Sequence, residues 1–345
     1  MSVQFAKTSV FPQGLAPSEE RRVLQVIEIC GRTAYKSEDK ITDDSARSFV
    51  LMLKKHGHLS VLEHSNIVLR IQEDPHRGPA PGIPSVQEFT ESLRKSFRER
   101  IAYHRTCALY EEGIAAFVVA GNLRGWIETL EYLKQEGTRY YDFLGHHLAR
   151  FFPVLFESEA ALPDDFHYDV SLVSEDDQLN FLKKDPRSDL PVFIFKIVCD
   201  RGITHEIVRH RVLSFTQEST RYVNYRNRGM TLIVPEEIEA FFDESRGEFS
   251  QEPPEVLEWR KRGELIFEWY QADISRGLRP EIARDILPNL LKSEIFVSGR
   301  WSGWRHFISL RESRQAHPRI RFIAREVRKY FEGIGLLDGQ ERLSE

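Results

Sequence analysis

The sequence predicts an α+β fold (α/β in the broad sense) whose helices and strands alternate too irregularly for a doubly wound sheet. The chain has 345 residues, of which 41% are hydrophobic and 11% aromatic, so it can bury a substantial core and is not disordered as a whole. Residues 191–198 form an apolar run typical of a buried strand, whereas residues 255–276 show helical periodicity. Because neither GxGxxG nor GxxxxGKS/T occurs, no Rossmann or P-loop nucleotide site is indicated.

The N-terminal part is predicted to contain two helices, a strand and a Pro/Gly-rich linker, in that order. These elements span residues 18–36, 43–56, 65–71 and 74–84. Residues 86–150 are expected to be mostly helical, with 115–135 as the clearest helix. The acidic stretch 157–190 is expected to be a surface connection with little regular structure.

The C-terminal part is predicted to begin with the strand at 191–198 and to end in helices. Further strands are predicted over residues 219–225 and 230–234. Helices are predicted over residues 204–210, 255–276, 280–287, 298–311 and 315–333.

The positions of the charged residues along the chain are more informative than the net charge. With 48 Lys and Arg against 53 Asp and Glu, the net charge of −5 disfavours a nucleic-acid binder. Arginine nevertheless dominates two positive segments, 201–228 and 281–330. These segments are either two solvated faces or two walls of one anion site. The forked guanidinium group suits phosphate and carboxylate, but both interpretations stay open.

The remaining composition indicates a reduced, cytoplasmic protein without a membrane span or a secretory signal. The three cysteines, Cys30, Cys107 and Cys199, form no CxxC pair, and no GxSxG motif offers a serine nucleophile. HEIVRH (205–210) places its two histidines five residues apart, too far around a helix to share a metal easily, so no metal site is expected.

Two short segments resemble each other, FVVAGNLRGW (117–126) and IFVSGRWSGW (295–304). Each has an apolar run, a glycine and a final Gly-Trp. Chance and an old duplication are both possible origins.

The densest polar cluster is RHRVLSFTQESTRY (209–222), with three arginines, a histidine and two serines. Such donors suit an anionic ligand with a planar ring, and the alternative is an ordinary polar surface turn. This cluster resembles the signature RHRxxSxxxxSxRY of the flavin-dependent thymidylate synthases, the thymidylate-synthase-complementing proteins. Four further segments resemble that family's motifs in the expected order: GHLSVLEH (57–64), ARDILP (283–288), WRHFISLR (304–311) and AHPRIR (316–321).

The resemblance implies a catalytic domain made of residues 1–72 and 190–345, interrupted by an insertion, 73–189, of unknown role. It implies the family fold, a mixed sheet flanked by long helices, here with a large and mostly helical insertion. The implied reaction is the methylation of dUMP to dTMP with FAD, methylenetetrahydrofolate and NADPH, without a cysteine nucleophile. A homotetramer with shared active sites is also implied.

The resemblance also implies roles for individual residues, with Arg311 as the catalytic group facing the uracil. Those implied to bind FAD are His58, Ser60, Glu63, Arg209, His210, Arg211, Gln217 and His306. Those implied to bind dUMP are Glu206, Arg209, Gln217, Glu218, Ser219, Arg221, Arg284 and Arg311.

One segment departs from the family pattern, which has Asn-x-Arg where this chain has Arg300-Trp301-Ser302. Asn122-Leu123-Arg124 in the insertion offers both missing residues at the same spacing. Either the insertion restores the contact, with Arg124 on the FAD phosphates, or Asn122 caps a helix and Arg124 is solvated. Alternative functions are a flavoprotein with a changed nucleotide substrate, a non-catalytic nucleotide-binding protein and an RNA-binding protein.

Overall fold

Two four-stranded antiparallel sheets, with helices packed around them, form the protein. The computed structural model describes residues 3–73, 86–99, 108–111, 116–156 and 168–338. The strands are β1 (Val3–Ala6), β2 (Ser9–Leu15), β3 (Ile67–Glu73), β4 (Ala108–Glu111), β5 (Ala116–Gly121), β6 (Tyr168–Leu172), β7 (Val192–Asp200), β8 (Ser214–Gln217), β9 (Met230–Ile233), β10 (Phe242–Asp243), β11 (Glu248–Phe249) and β12 (Lys292–Arg300).

The helices range from single turns to the 22 residues of α9. They are α1 (Glu20–Tyr35), α2 (Ser45–Lys55), α3 (Val86–Glu99), α4 (Leu123–Gln135), α5 (Tyr140–Phe151), α6 (Glu175–Lys184), α7 (Arg201–Ile207), α8 (Tyr225–Arg228), α9 (Pro254–Ser275), α10 (Pro280–Ala283), α11 (Trp301–Arg311) and α12 (Pro318–Gly333). In the parts of the chain that the structure covers, no helix is both long and apolar enough to span a membrane.

The C-terminal sheet has the strand order β2-β7-β12-β8 and is buried on both faces. Successive side chains of a strand point to opposite faces. Phe195 and Val297 belong to a core cluster with residues of α7, α11 and α12, and we call this side of the sheet the α7 face. Ile194 and Phe296 belong to a second cluster with residues of α1 and the N-terminal sheet, and this side is the α1 face.

The N-terminal sheet has the strand order β4-β5-β3-β6. Strand β3, which begins in the predicted catalytic domain, pairs with β5 and β6 of the predicted insertion. Leu69 of β3 and Phe117 of β5 lie in one core cluster with Phe296 of the other sheet. Helices α3 to α6 account for most of the described residues of the insertion, and its strands complete a sheet that residues 1–72 only begin.

Among the described strands, the two four-stranded sheets are not of the expected mixed type. Every strand pair within the two four-stranded sheets is antiparallel. Within the described residues, the parallel pairing joins β1 to β9, outside both sheets.

Several elements lie where the sequence predicts them, including α1, α2, β7, β9, α9 and α12. The helix predicted over 115–135 is wrong for its first part, which is β5, and the helix predicted over 298–311 begins only at Trp301. Short apolar runs do not distinguish strand from helix, which explains both errors. The stretch 157–190 contains β6 and α6, and residues 219–225 form no strand.

The two similar segments occupy equivalent positions in the two sheets. Gly121 at the end of β5 pairs with Ile67, whose carbonyl accepts a hydrogen bond from Trp126 Nε1 at 3.0 Å. Gly299 near the end of β12 pairs with Phe193, whose carbonyl accepts from Trp304 Nε1 at 3.2 Å. A shared strand register and a shared tryptophan bond support duplication over chance.

Candidate functional site

Arg311, at the end of α11, lies against α7 on the α7 face. Its Nε donates to His210 Nε2 at 2.7 Å, and its terminal nitrogens donate to Glu206 Oε2 at 3.0 Å and to the Glu206 carbonyl at 3.2 Å. A guanidinium group has five N–H donors, so one on each terminal nitrogen is left for a ligand. The cluster thus offers a fork suited to a planar acceptor pair.

His210 is held neutral in this cluster. Burial, with Arg311 and His306 nearby, lowers the pKa of His210 to about 4. Its Nε2 accepts from Arg311, so the neutral ring carries its proton on Nδ1. The rings of His210 and His306 are 6.0 Å apart, so four of the predicted site residues lie together: Glu206, His210, His306 and Arg311.

The rest of the signature divides between the two faces of the sheet. Gln217 donates to Thr204 of α7 at 2.8 Å and to Ser293 at 3.0 Å, on the α7 face. Glu218 is the next residue and points to the α1 face, where Tyr225 Oη donates to its Oε1 at 3.3 Å. The structure thus does not place Glu218 with the Arg311 cluster.

The turn at 57–64 contacts the signature directly through Glu63 and His64, and indirectly through His58. Ser214 Oγ donates to the buried carboxylate of Glu63 at 2.7 Å. At the other end, the hydroxyl of Tyr35 lies 3.4 Å from His58 Nδ1, and its ring lies 4.9 Å from that of Tyr222. The two motifs therefore meet within a single chain, and Ser60 lies exposed between these contacts.

His64 closes this turn against the sheet. Its ring nitrogens lie 2.8 Å from Ser298 Oγ and 2.9 Å from Thr216 Oγ1. Burial lowers the pKa of His64 to about 3. An unfolded histidine takes up a proton near pH 6.5 while folded His64 does not, so this residue makes the folded state less stable as the pH falls below 6.5.

We expect His64 to lower the free energy of unfolding by roughly 2 kcal/mol between pH 7 and pH 5. Replacing it with glutamine should remove that part of the pH dependence, as measured by urea unfolding across the range. The control is His205→Gln, because His205 is exposed. An unchanged pH dependence in His64→Gln would contradict the assignment.

The insertion contributes an ion pair to the turn. Arg124 Nη1 donates to Glu63 Oε1 at 2.8 Å, and Arg124 Nε donates to Glu128 at 2.7 Å. Asn122 Oδ1 accepts from the backbone N–H of Gly125 at 2.7 Å and caps α4. Capping by Asn122 is confirmed, but Arg124 is not simply solvated, since it pairs with two carboxylates.

The segment that departs from the family pattern has a structural role. Arg300 is 6% exposed; its Nη1 donates to the carbonyls of Asp189 and Leu190, and its Nη2 donates to Asn66 Oδ1 at 3.4 Å. The backbone N–H and the hydroxyl of Ser302 both donate to the Asp189 carboxylate. Asp189 has a positive φ of 42°, so the chain bends at this residue. The contacts from Arg300 and Ser302 stabilise the bend, which lies in the connection between the two sheets.

Three signature arginines, Arg209, Arg211 and Arg221, are exposed. In the described part of the chain, none of them forms an ion pair with an acidic side chain. Arg284 is half-buried, and its Nη1 donates to Thr220 Oγ1 at 3.3 Å. Such guanidinium groups suit the phosphates of a nucleotide or a dinucleotide.

The two described cysteines are buried. Cys30 and Cys199 are fully buried, and burial raises the pKa of both thiols, so neither is a ready nucleophile. Cys107 lies outside the described residues. Within the described ranges, no group of three or more His, Cys, Asp or Glu side chains is arranged to hold a metal ion.

Sequence reasoning missed a cluster of charges on the α1 face. Its members are Lys36, Lys196, Lys292 and Glu294, which come from α1's end, β7 and β12. Charged residues interrupt the apolar runs of β7 and β12, and alternation along each strand places them on one face of the sheet. This signal was available in the sequence.

A model of the family described as thymidylate synthase complementing protein matches residues 188–334. A flavin-dependent thymidylate synthase of Pyrococcus abyssi (strain GE5 / Orsay) is 35% identical over 136 residues, which cover 38% of this chain and 51% of the relative. Another of Mycobacterium sp. (strain KMS) is 35% identical over 133 residues, covering 36% and 51%. This chain thus spans about half the length of the relatives it matches.

A solved structure of a UMP/dUMP methylase from Streptomyces cacaoi, bound with 5-Br UMP, is weakly similar. It is 21% identical, covers 45% of this chain and 76% of that chain, and has a TM-score of 0.36. The sequence match is the stronger finding. The similarity to the thymidylate synthase complementing protein family therefore covers residues 188–334, in the C-terminal half of the chain.

Proposed function

We propose that the protein is a flavin-dependent methylase that converts dUMP to dTMP, with methylenetetrahydrofolate as carbon donor and NADPH as reductant. The observation that carries the proposal is the Arg311 cluster. Arg311 from the motif SLRES meets Glu206 of α7 and His210 of the RHR motif, with two donors left over. A cation fixed beside a uracil ring would stabilise negative charge on it and so favour reaction at C5.

In this proposal, the dUMP pocket lies at the Arg311 cluster. The residues assigned to it are Glu206, Arg209, Gln217 and Arg311, together with Ser219, Arg221 and Arg284 from the region after β8, where the Ser219 N–H donates to the Ala34 carbonyl of α1 at 3.0 Å. Glu218 is left out because it points to the α1 face, where Tyr225 contacts it.

The donors present fit FAD as the cofactor. Exposed Arg209 and Arg211 would bind its phosphates, with His210 and His306 beside them. The turn carrying His58, Ser60 and Glu63 would complete the site. When bound, the flavin would supply the hydride; the residues of this chain would bind and orient the two ligands.

The direct test is tritium release from [5-³H]dUMP by the full chain with FAD, NADPH and methylenetetrahydrofolate. Release together with dTMP formation is the expected result. A protein that binds flavin but releases no tritium would contradict dUMP as the substrate and favour a changed nucleotide. A protein that binds dUMP but no flavin would favour a non-catalytic role.

Arg124→Ala is expected to weaken FAD binding about tenfold, because a charge-assisted bond contributes roughly 1.5–3 kcal/mol. In this proposal the effect acts through Glu63, because the substitution removes the bond that Arg124 Nη1 donates to its carboxylate and leaves the bond from Ser214. FAD titration measures the effect, and Lys134→Ala on the exposed side of α4 is the matched control. If the titration curves of the two variants coincide, the insertion does not support the cofactor site.

A variant with all three cysteines replaced by alanine is expected to keep FAD and to form dTMP. Cys30 and Cys199 are buried with raised pKa values, so neither offers a thiolate near neutral pH. Circular dichroism establishes that the variant is folded before activity is compared. A folded, flavin-loaded variant without dTMP formation would show that a thiol takes part after all.

We also propose a homotetramer. Support comes from the outer side of α9, where the large apolar residues Leu257, Leu265 and Trp269 are exposed. Analytical ultracentrifugation of the full chain tests this, and a monomer at micromolar concentration would contradict it.

A further inference from the structure

A polar cleft of about 470 Å³ opens on the α1 face, between the end of α1, strands β7 and β12, and helix α8. Its volume lies in the range of small-molecule sites. The Arg311 cluster lies on the opposite face of the same sheet. The cleft therefore lies on the other side of the sheet from Arg311.

Glu294 organises the cations of this cleft. Lys36, Lys196 and Lys292 have their Nζ atoms at 2.5, 2.7 and 2.6 Å from its carboxylate oxygens. Burial alone would raise the pKa of Glu294, but the three lysines hold it far below its usual range. An ammonium group has three donors, so each lysine keeps N–H groups for a further acceptor.

Glu218 lies beside these lysines with one oxygen unused. The residue is 5% exposed, and its Oε2 accepts no hydrogen bond. Lys36 Nζ is 3.6 Å from this oxygen and Lys292 Nζ is 4.0 Å away, both beyond hydrogen-bond distance. Burying a carboxylate oxygen without a hydrogen-bond donor costs free energy. An O–H or N–H group of a ligand that donates to this atom would therefore be stabilising.

Arg228 stands at the mouth of the cleft. It is exposed, and within the described residues it has no acidic partner. The cleft residues include four cations, Lys36, Lys196, Arg228 and Lys292, against Glu38, Glu218 and Glu294. The net charge of these side chains is therefore positive, and guanidinium and ammonium groups together favour phosphate as a ligand.

We propose that this cleft binds a small phosphorylated ligand that carries a hydroxyl group. The phosphate lies against Arg228 and Lys292, and the hydroxyl donates to Oε2 of Glu218. The cations at the site disfavour a metal ion, whereas a sugar phosphate satisfies both the positive charge and the unused acceptor.

The test measures binding of two probes, ribose 5-phosphate and inorganic phosphate, to the full chain by calorimetry. We expect ribose 5-phosphate to bind more tightly. Arg228→Gln should weaken its binding at least about tenfold, whereas Arg226→Gln, an exposed position on the same helical turn, should not. Equal binding by these two variants, or no binding by the parent, would overturn the proposal.

Two further variants separate the parts of the proposal. Glu218→Gln should abolish the preference for ribose 5-phosphate over inorganic phosphate. A retained preference would show that Oε2 is not the hydroxyl acceptor. Arg311→Lys should leave ribose 5-phosphate binding unchanged, so a failure of the proposed dUMP pocket is distinguishable from a failure of this cleft.

Discussion

Arg311→Lys is expected to keep FAD and to lose about a hundredfold or more of dTMP formation, a change of roughly 2.7 kcal/mol in the barrier. The native guanidinium bonds His210 and both the side chain and the carbonyl of Glu206, and still has two donors left. A lysine ammonium has three donors on one atom, so it cannot hold these partners and face a ligand as a planar fork.

The matched control is Arg314→Lys, because Arg314 is exposed three residues further along. It should release tritium from [5-³H]dUMP at the parent rate. FAD absorbance and circular dichroism are recorded for both variants to separate loss of turnover from loss of fold. Near-parent tritium release by Arg311→Lys would remove Arg311 from its assigned role.

Arg300→Asn is expected to lower the free energy of unfolding by about 2 kcal/mol, although asparagine is the residue that the family pattern would place there. Arg300 is 6% exposed and donates to the carbonyls of Asp189 and Leu190. Asparagine is too short to reach both. The Leu190 carbonyl keeps the bond it accepts from Asn66 Nδ2 at 3.0 Å, whereas the Asp189 carbonyl loses its donor, at a cost of roughly 1–3 kcal/mol.

Urea unfolding of Arg300→Asn measures this loss, with Arg305→Asn on the exposed side of α11 as control. The control should unfold at the parent midpoint. If Arg300→Asn is as stable as the control and binds FAD more tightly, Arg300 would be an altered cofactor residue and not the clamp of the 189–190 connection.

The tertiary contacts explain why the departure at 300–302 is tolerated. In the C-terminal half, Arg300 and Ser302 hold the connection between the sheets. In the N-terminal half, the equivalent positions hold Asn122, which caps α4, and Arg124, which binds Glu63. Residues at equivalent positions of the two similar strand–helix units thus have different structural roles.

The sequence predicted the residues of the signature and the chemistry proposed for them. It did not predict that these residues divide between the two faces of the C-terminal sheet. Gln217 and Glu218 are neighbours in the chain and were assigned to one pocket. Once β8 is recognised as a strand, alternation separates them. The strand was missed because a segment of four residues, three of them polar, shows no clear hydrophobic period.

The sequence by itself determined the long helices, the buried strand β7 and the identity of the motif residues, because periodicity and side-chain chemistry are local properties. Only the tertiary structure decided the strand pairing of β3 with the insertion, the contact of Arg124 with Glu63 and the three lysines around Glu294. Those contacts join residues far apart in the chain. Their register follows from which apolar faces pack together, and a local pattern does not contain that information.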